Sequence, residues 1–370
     1  MSNHLAFLIV SFVLLLTFIL VSAIKVKKFP LFLVFVIGLL IRLGFTFIFK
    51  DSTNFDLESY KRIGTIVLQG ISVYPNHILH YPYLPFFLYL EALAMAIKKI
   101  IDPIIFLKIL FSLIDLLNVY LVFLLSKKNI KTSLLYAVNP VSVLITNFHG
   151  QFDVVPLFFL LLGYYLFNKR RQTASLLALS FGIMVKTWPV LFIFPILKRV
   201  EKKSWIILLA FFPVLSIGLY VVLFHSSPQD ILSTVIDYRA LFWSFGLGKL
   251  FYLFVSINRP TINQFVSWVF LGAFLFFSLK NNRKNILVEC LRNLLFFYVF
   301  TISFAVQYFV WVIPFLLLIR PRFYIALIVL ITIFLILNFS PVGNPSLITA
   351  INLAVWLLFI KIFTFRSSRD

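Results

Sequence analysis

Apolar runs of about 17–25 residues follow one another along almost the whole chain, separated by short polar connectors. Each is long enough to cross the ~30 Å hydrocarbon core of a bilayer as a helix. Backbone polar groups in lipid must be satisfied within the chain itself, so such a sequence folds as a bundle of transmembrane helices. Hydrophobic residues make up 62% of the 370, against roughly 45–50% in soluble domains. The expected fold is all-α: a single polytopic integral-membrane domain over 1–370, multi-pass in the cell membrane.

A net charge of +21 would suit nucleic acid, but the basic residues lie in short connectors beside apolar runs, as in cytoplasmic loops. No basic domain with interleaved aromatics is present to track a strand, so the expected partner is the lipid bilayer and not nucleic acid. The connectors 25–28, 127–131, 169–171, 198–203, 280–284, 320–322 and 366–369 hold 20 of the 33 basic residues. Alternation from them places crossings near 5–24, 30–48, 104–125, 132–147, 152–168, 173–186, 188–197, 204–224, 265–279, 286–305, 308–319, 323–339 and 347–363, about thirteen in all. The pair 173–186 and 188–197 is short and reads as a broken or re-entrant hairpin. The first run lacks a preceding positive charge and is followed by Lys25, Lys27 and Lys28, which reads as an uncleaved first span with its N-terminus outside. Cys290 is the sole cysteine; it permits no internal disulfide and reads as a packing residue.

This partition leaves 49–103 and 225–264 as outer loops, with a tight corner near 148–151, and places seven of the twelve acidic residues outside. Segment 84–101 reads as an amphipathic helix lying on the outer surface, in preference to a span ending at Lys98-Lys99 that would put Lys127-Lys128 outside. In the first loop Asp51, Asp56 and Glu58 fall within eight residues, followed by His77, His80 and Tyr81-Pro82-Tyr83. A carboxylate beside a dry apolar wall has its charged form disfavoured and its basicity raised, which suits proton abstraction from a sugar hydroxyl. Asp56 and Tyr60 share a helical face by spacing, and the HYPYLP run supplies stiff amphipathic rings. Asp56 and Glu58 would also offer two hard oxygen ligands to a divalent ion, a weak signal by itself. No metal-ligand spacing, phosphate-cradling glycine loop or nucleophile elbow occurs.

Three further constellations stand out. In NPVSVLITNFHGQFDVV (139–155), Asn139-Pro140 interrupts a run, Gly150 permits a close turn, and His149, Gln151 and Asp153 gather at one corner. Lys108 and Asp115, inside one run, either pair with each other or line the same cavity. Lys186, ahead of Thr187-Trp188-Pro189, must snorkel or meet an anion such as a lipid phosphate. Arg239 and Lys249 in the second outer loop add phosphate-binding cations, Arg being the better bidentate partner. Gln307, Tyr308 and Trp311 cap the outer end of a later run.

Taken in order, Asp56 with Tyr60, the YPY run at 81–83, NP followed by HGQFD, Lys186 to Pro189, and QYxxW with a following proline at 307–314 resemble the GT-C superfamily of integral-membrane glycosyltransferases that use polyprenyl-phosphate sugars. The likeness is nearest to GPI-mannosyltransferase-like proteins and, at HGQFD, to glucosyltransferases of lipid-linked oligosaccharides. The run reads YPY where many relatives have YPP. The resemblance implies a bundle of GT-C type and a one-step inverting transfer of a hexose, mannose or glucose, to a lipid-linked or cell-surface glycan acceptor on the non-cytoplasmic side. It implies Asp56 as base, with Asp51 and Glu58 next in order, and Lys186, Arg239 and Lys249 as contacts of the leaving phosphate. Tyr60, His80, Tyr81, Tyr83, His149, Gln151, Asp153, Gln307, Tyr308 and Trp311 would shape the sugar and acceptor pocket. The main alternative is a transporter or flippase of lipid-linked sugars, which should show two similar halves; no duplication is obvious. A scaffold without substrate leaves the acidic loop unexplained.

Overall fold

The computed structural model describes residues 3–26, 28–74, 81–237, 241–254, 260–341 and 343–364. Among them the chain is helical, without a β-strand beyond one isolated bridge between Phe242 and Ser303. Two long apolar helices, α1 (Asn3–Ala23) and α2 (Leu31–Ile48), precede two short ones, α3 (Phe55–Leu68) and α4 (Phe87–Ala96), and the long α5 (Pro103–Leu125). Then come α6 (Ile130–Ala137), α7 (Pro140–Val143), a π-helical turn at Leu144–Phe148, and the hairpin of α8 (Val154–Asn168) and α9 (Gln172–Val185). A 3-10 turn at Trp188–Phe192 leads to α10 (Phe194–Leu197), and a second at Lys203–Ala210 runs into α11 (Phe211–Phe224). The remainder is α12 (Pro228–Asp237), α13 (Gly246–Phe254), α14 (Pro260–Lys280), α15 (Ile286–Phe300), α16 (Phe309–Ile319), α17 (Tyr324–Phe339) and α18 (Pro345–Thr364).

Six helical segments among the described residues are long and apolar enough to cross a membrane: His4–Ala23, Leu31–Ile48, Pro103–Leu125, Lys203–Phe224, Ile262–Lys280 and Pro345–Thr364. The protein is a membrane-embedded, multi-pass helical protein. The other expected crossings fold as shorter or interrupted helices, and in two of them a proline marks the interruption. Pro140 cannot donate into a ladder, so the run 132–147 divides at Asn139, whose side chain caps α7 by accepting from the Val141 and Ser142 amides. Run 173–197 stops at Lys186, which is extended, and restarts at Trp188 with Pro189 in the first turn.

The chain forms two compact units. One comprises Met1–Pro30, Ser126–Leu144 and Arg239–Asp370; the other comprises Leu31–Leu125 and Ile145–Tyr238. In the first, α1 packs on α6 and α17, and α15 packs on α16 and α18. Tyr298 stacks on Phe359 at 4.4 Å between centroids. Lys131 Nζ donates to the carbonyls of Ser22 and Ile24 at 2.7 Å each, placing a cation where the end of α1 leaves acceptors open.

In the second unit α3 lies against α4, while α5 lies against α2 and α8. The α3/α4 crossing is close enough that a Cβ on Gly64 would sit 2.4 Å from the Glu91 carbonyl oxygen. With ten residues, or about 15 Å of rise, α4 is too short to span a bilayer. It departs from the amphipathic expectation: Leu93 is exposed, while Glu91 turns inward, 1% exposed. Neither Glu91 carboxylate oxygen has a hydrogen-bond partner among the described residues, and burial holds the carboxyl well above its ordinary range. The fold thus favours the neutral acid. That contribution is full below about pH 4.5, the usual glutamate value, and is lost as pH rises towards the folded-state pKa. Glu91→Gln keeps the shape and removes the titration, so the decline of Tm as pH rises above the usual glutamate range should be flatter in the variant. Equal slopes for variant and wild type would refute this.

Candidate functional site

The site is assembled in the second unit from four pieces of chain. Asn54 caps α3, its Oδ1 accepting from the Leu57 amide at 3.0 Å while its Nδ2 donates to the His149 carbonyl at 2.8 Å. One side chain therefore starts the helix and ties it to the 148–151 corner. Asp56 and Glu58 follow in the first turn of α3, where the helix dipole favours negative charge.

The corner owes its shape to three local features. The π-turn at Leu144–Phe148 is fixed by Asn147 Nδ2, which donates to Thr46 Oγ1 at 3.0 Å and Ser112 Oγ at 2.7 Å. Gly150 adopts φ +80°, and a Cβ there would meet Leu57 Cδ2 at 2.5 Å, so the backbone geometry and the close approach both call for glycine. Lys108 Nζ donates to the Phe148 carbonyl at 3.2 Å. With the corner so placed, Gln151 is buried and its Nε2 donates to Asp56 Oδ2 at 2.6 Å. The Tyr60 hydroxyl reaches Gln151 Oε1 at 3.5 Å. The two α3 residues singled out by spacing thus converge on one amide.

Beside them, Asp153 stands at the start of α8 and Lys186 at the end of α9, and Lys186 Nζ meets Asp153 Oδ2 at 2.7 Å. The ammonium also lies 4.7 Å from the Phe152 ring centroid and 5.1 Å from that of Tyr83. Phe152 stacks on Phe87 at 3.7 Å, and Tyr60 meets Phe87 edge-on at 5.3 Å. An apolar aromatic wall of this kind strengthens electrostatic interactions by excluding water. Its effect is visible on Asp56: burial raises the carboxyl above the ordinary aspartate value, opposed by the Lys186 charge and the Gln151 bond. Burial pushes His149 down to about 4, against the attraction of Asp153 and with help from Lys108 and Lys186, so the imidazole is neutral at physiological pH. Chemically, the arrangement offers a half-buried carboxylate of raised basicity, an amide that orients it, and an ammonium with two further donor positions beyond the one Asp153 takes.

Other candidates fall elsewhere. Asp51 and Glu58 are exposed and line a separate cavity of about 280 Å³ with Lys50, Lys61 and Asp102. Glu58 accepts from Thr53 Oγ1 at 2.7 Å and lies 3.7 Å from Lys61 Nζ. Asp56 and Glu58 therefore turn to different partners, and no group of three potential ligands that could hold a metal occurs among the described residues. Tyr81 is a core residue, 3% exposed and edge-on to Tyr74 and Tyr83, while Tyr83 alone of the YPY rings faces Lys186. His77, His80 and Arg239 lie outside the described residues. Lys249, Gln307, Tyr308 and Trp311 belong to the first unit. There Lys249 lies over Tyr252 at 5.8 Å, and Tyr308 stacks on Trp311 at 4.2 Å next to Phe297.

Of the two readings left open for Lys108 and Asp115, direct pairing is not what the structure shows. Asp115 Oδ2 accepts from Arg42 Nη2 at 2.6 Å and Nε at 3.0 Å, with both side chains fully buried. Asn118 joins the pair by donating to Asp115 Oδ1 at 3.2 Å and to the Val154 carbonyl at 2.9 Å. The network links α2, α5 and the start of α8, directly behind Asp153. Arg42 was detectable as the one charge inside its apolar run, since ionisable groups at such positions are paired. Asn54 carried the signal of a helix cap two residues before Asp56. No family model matches the chain, and no curated protein shows significant similarity to it.

Proposed function

We propose that this protein is an inverting glycosyltransferase of GT-C type, with about thirteen membrane crossings when its short and broken helices are counted. It moves a hexose, mannose or glucose, from a polyprenyl-phosphate sugar to a lipid-linked or cell-surface glycan on the non-cytoplasmic side. The observation that carries this reading is the Asp56 carboxylate, raised in basicity by burial and held by Gln151 beside the Lys186 ammonium.

In the proposed step Asp56 takes the proton of an acceptor hydroxyl. The acceptor oxygen forms a bond to the anomeric carbon as the bond from that carbon to the phosphate oxygen breaks, and its electron pair leaves on polyprenyl phosphate. Lys186 answers the charge that develops there, because an ammonium has three donors and Asp153 occupies one. Neutral His149 and the Tyr60 and Tyr83 rings border the sugar. Placement of the site outside the cytoplasm accounts for a lipid-borne donor in place of a nucleotide sugar.

Purified full-length protein in proteoliposomes, supplied with polyprenyl-phosphate mannose and glucose and with lipid-linked glycans, should transfer the hexose with inversion at the anomeric carbon. Retention of configuration, or no consumption of any donor by the wild type, would remove this reading.

A further inference from the structure

A second site lies at the opposite end of the α8/α9 hairpin. The fifteen residues of α8 put it roughly 22 Å from Asp153. Helix α8 closes there by a Schellman turn: the Arg170 amide donates to the Phe167 carbonyl at 2.9 Å and the Arg171 amide to the Leu166 carbonyl at 3.0 Å. The left-handed position of that turn ordinarily takes glycine, yet here it is Arg170, at φ 61°. Both Arg170 and Arg171 are exposed, and neither guanidinium makes an ion pair or hydrogen bond among the described residues.

The two arginines open onto a cavity of about 320 Å³, the size at which small-ligand sites begin, roughly 300 Å³. Its floor is the first turn of α9, at Thr173 and Ala174, which starts without a side-chain cap and so presents open amides. Its far wall is Glu201 and Trp205, the latter 5.3 Å from Lys202 Nζ at its ring centroid. The Glu201 amide donates to Gln172 Oε1 at 3.0 Å, which holds that wall to the hairpin. Across 169–171 and 198–203 there are seven Lys and Arg residues to the single acid Glu201, so attraction for an anion dominates. The adjoining segment exposes Ile207, 77% accessible, and Phe211, an apolar surface suited to acyl chains.

We infer that this cavity binds the phosphate headgroup of an anionic phospholipid, in the leaflet that the distribution of Lys and Arg marks as cytoplasmic. A basic pocket between membrane helices, roofed by an interfacial tryptophan and continuous with exposed apolar side chains, matches a lipid more closely than a soluble anion. The inference is independent of the glycosyl-transfer reading.

The test uses the full chain in nanodiscs of phosphatidylcholine doped with phosphatidylglycerol, with retained lipid read by native mass spectrometry. The double variant Arg170→Gln/Arg171→Gln should lower phosphatidylglycerol retention relative to phosphatidylcholine by roughly 25-fold, and Glu201→Gln should raise it about fivefold. Equal retention by wild type and the double variant would overturn the site. Should the double variant not fold, unchanged retention in Glu201→Gln overturns it equally. Displacement of phosphatidylglycerol by millimolar inorganic phosphate would overturn the lipid assignment in favour of a free anion.

Discussion

Asp56→Asn is expected to lower the rate of sugar transfer by about 10²–10⁴-fold, the usual contribution of a positioned general base. The substitution is nearly isosteric, and its side-chain carbonyl can still accept from Gln151 Nε2, so the corner, the helix cap at Asn54 and the Lys186–Asp153 pair stay in place. The loss should therefore fall on kcat with little change in KM or Tm, the signature of an interaction used only in the transition state. Single-turnover transfer from a radiolabelled polyprenyl-phosphate hexose measures it. Asp51→Asn and Glu58→Gln, whose parents are exposed and turned to other partners, should stay within about threefold of wild type by the same scale. A residual rate in Asp56→Asn within that margin would remove Asp56 as base. The pH profile gives a second reading. Burial raises the Asp56 carboxyl, the active form is the ionised one, and protonation removes it. Activity should consequently fall on acidification at a pH above that of an ordinary aspartate, near 3.9, and should level off on the alkaline side.

Arg42→Met should be the most damaging single substitution for stability, costing about 3–5 kcal/mol, because it strands the Asp115 carboxylate in a fully buried position. Methionine fills much of the volume of the arginine stem, so the loss reports on charge more than on packing. The companion Arg42→Met/Asp115→Leu removes both charges and should recover most of the deficit, since a buried ion pair replaced by apolar groups is often close to neutral. Thermal unfolding in detergent across the four members of the cycle measures the coupling. A double variant no more stable than Arg42→Met alone would show that the pair acts through shape and not through charge compensation.

Why some of this was legible in the sequence and some was not follows from where information is stored. In a chain so apolar, a polar side chain inside or beside a long run is rare, and Asp56, Gln151, Asp153 and Lys186 were visible for that reason. Helix spacing placed Tyr60 with Asp56, and both reach the same amide. Pairing across long stretches of chain was not visible: 73 positions separate Arg42 from Asp115 and 95 separate Asn54 from His149, and no local pattern encodes such partners. Pairing of Lys108 with Asp115 was one open possibility within a single run, and Lys108 instead donates to the Phe148 carbonyl at the end of the π-turn. The inward turn of Glu91 was equally invisible, since no local pattern shows that α3 crosses α4 closely at Gly64. Of the expected crossings, six are single helices long and apolar enough to span, among the described residues. Length and apolarity mark a run as able to span, but Pro140 and Pro189 decide whether it stays one helix.

The π-helical turn at Leu144–Phe148 gives the site an unusual dependence on chain length. A turn closed by i→i+5 bonds holds one residue more than the α-helical turn it replaces, and one residue is about 100° of rotation about the axis. Everything beyond it, including the His149 carbonyl that Asn54 grasps and the Gln151 amide that orients Asp56, is aimed by that extra residue. In terms of inheritance, loss of a single codon within 144–146 would leave Asn147 and every side chain beyond it in the protein and yet turn Gln151 away from Asp56. The number of residues in this turn, more than the identity of its apolar members, is what a descendant of this chain must preserve.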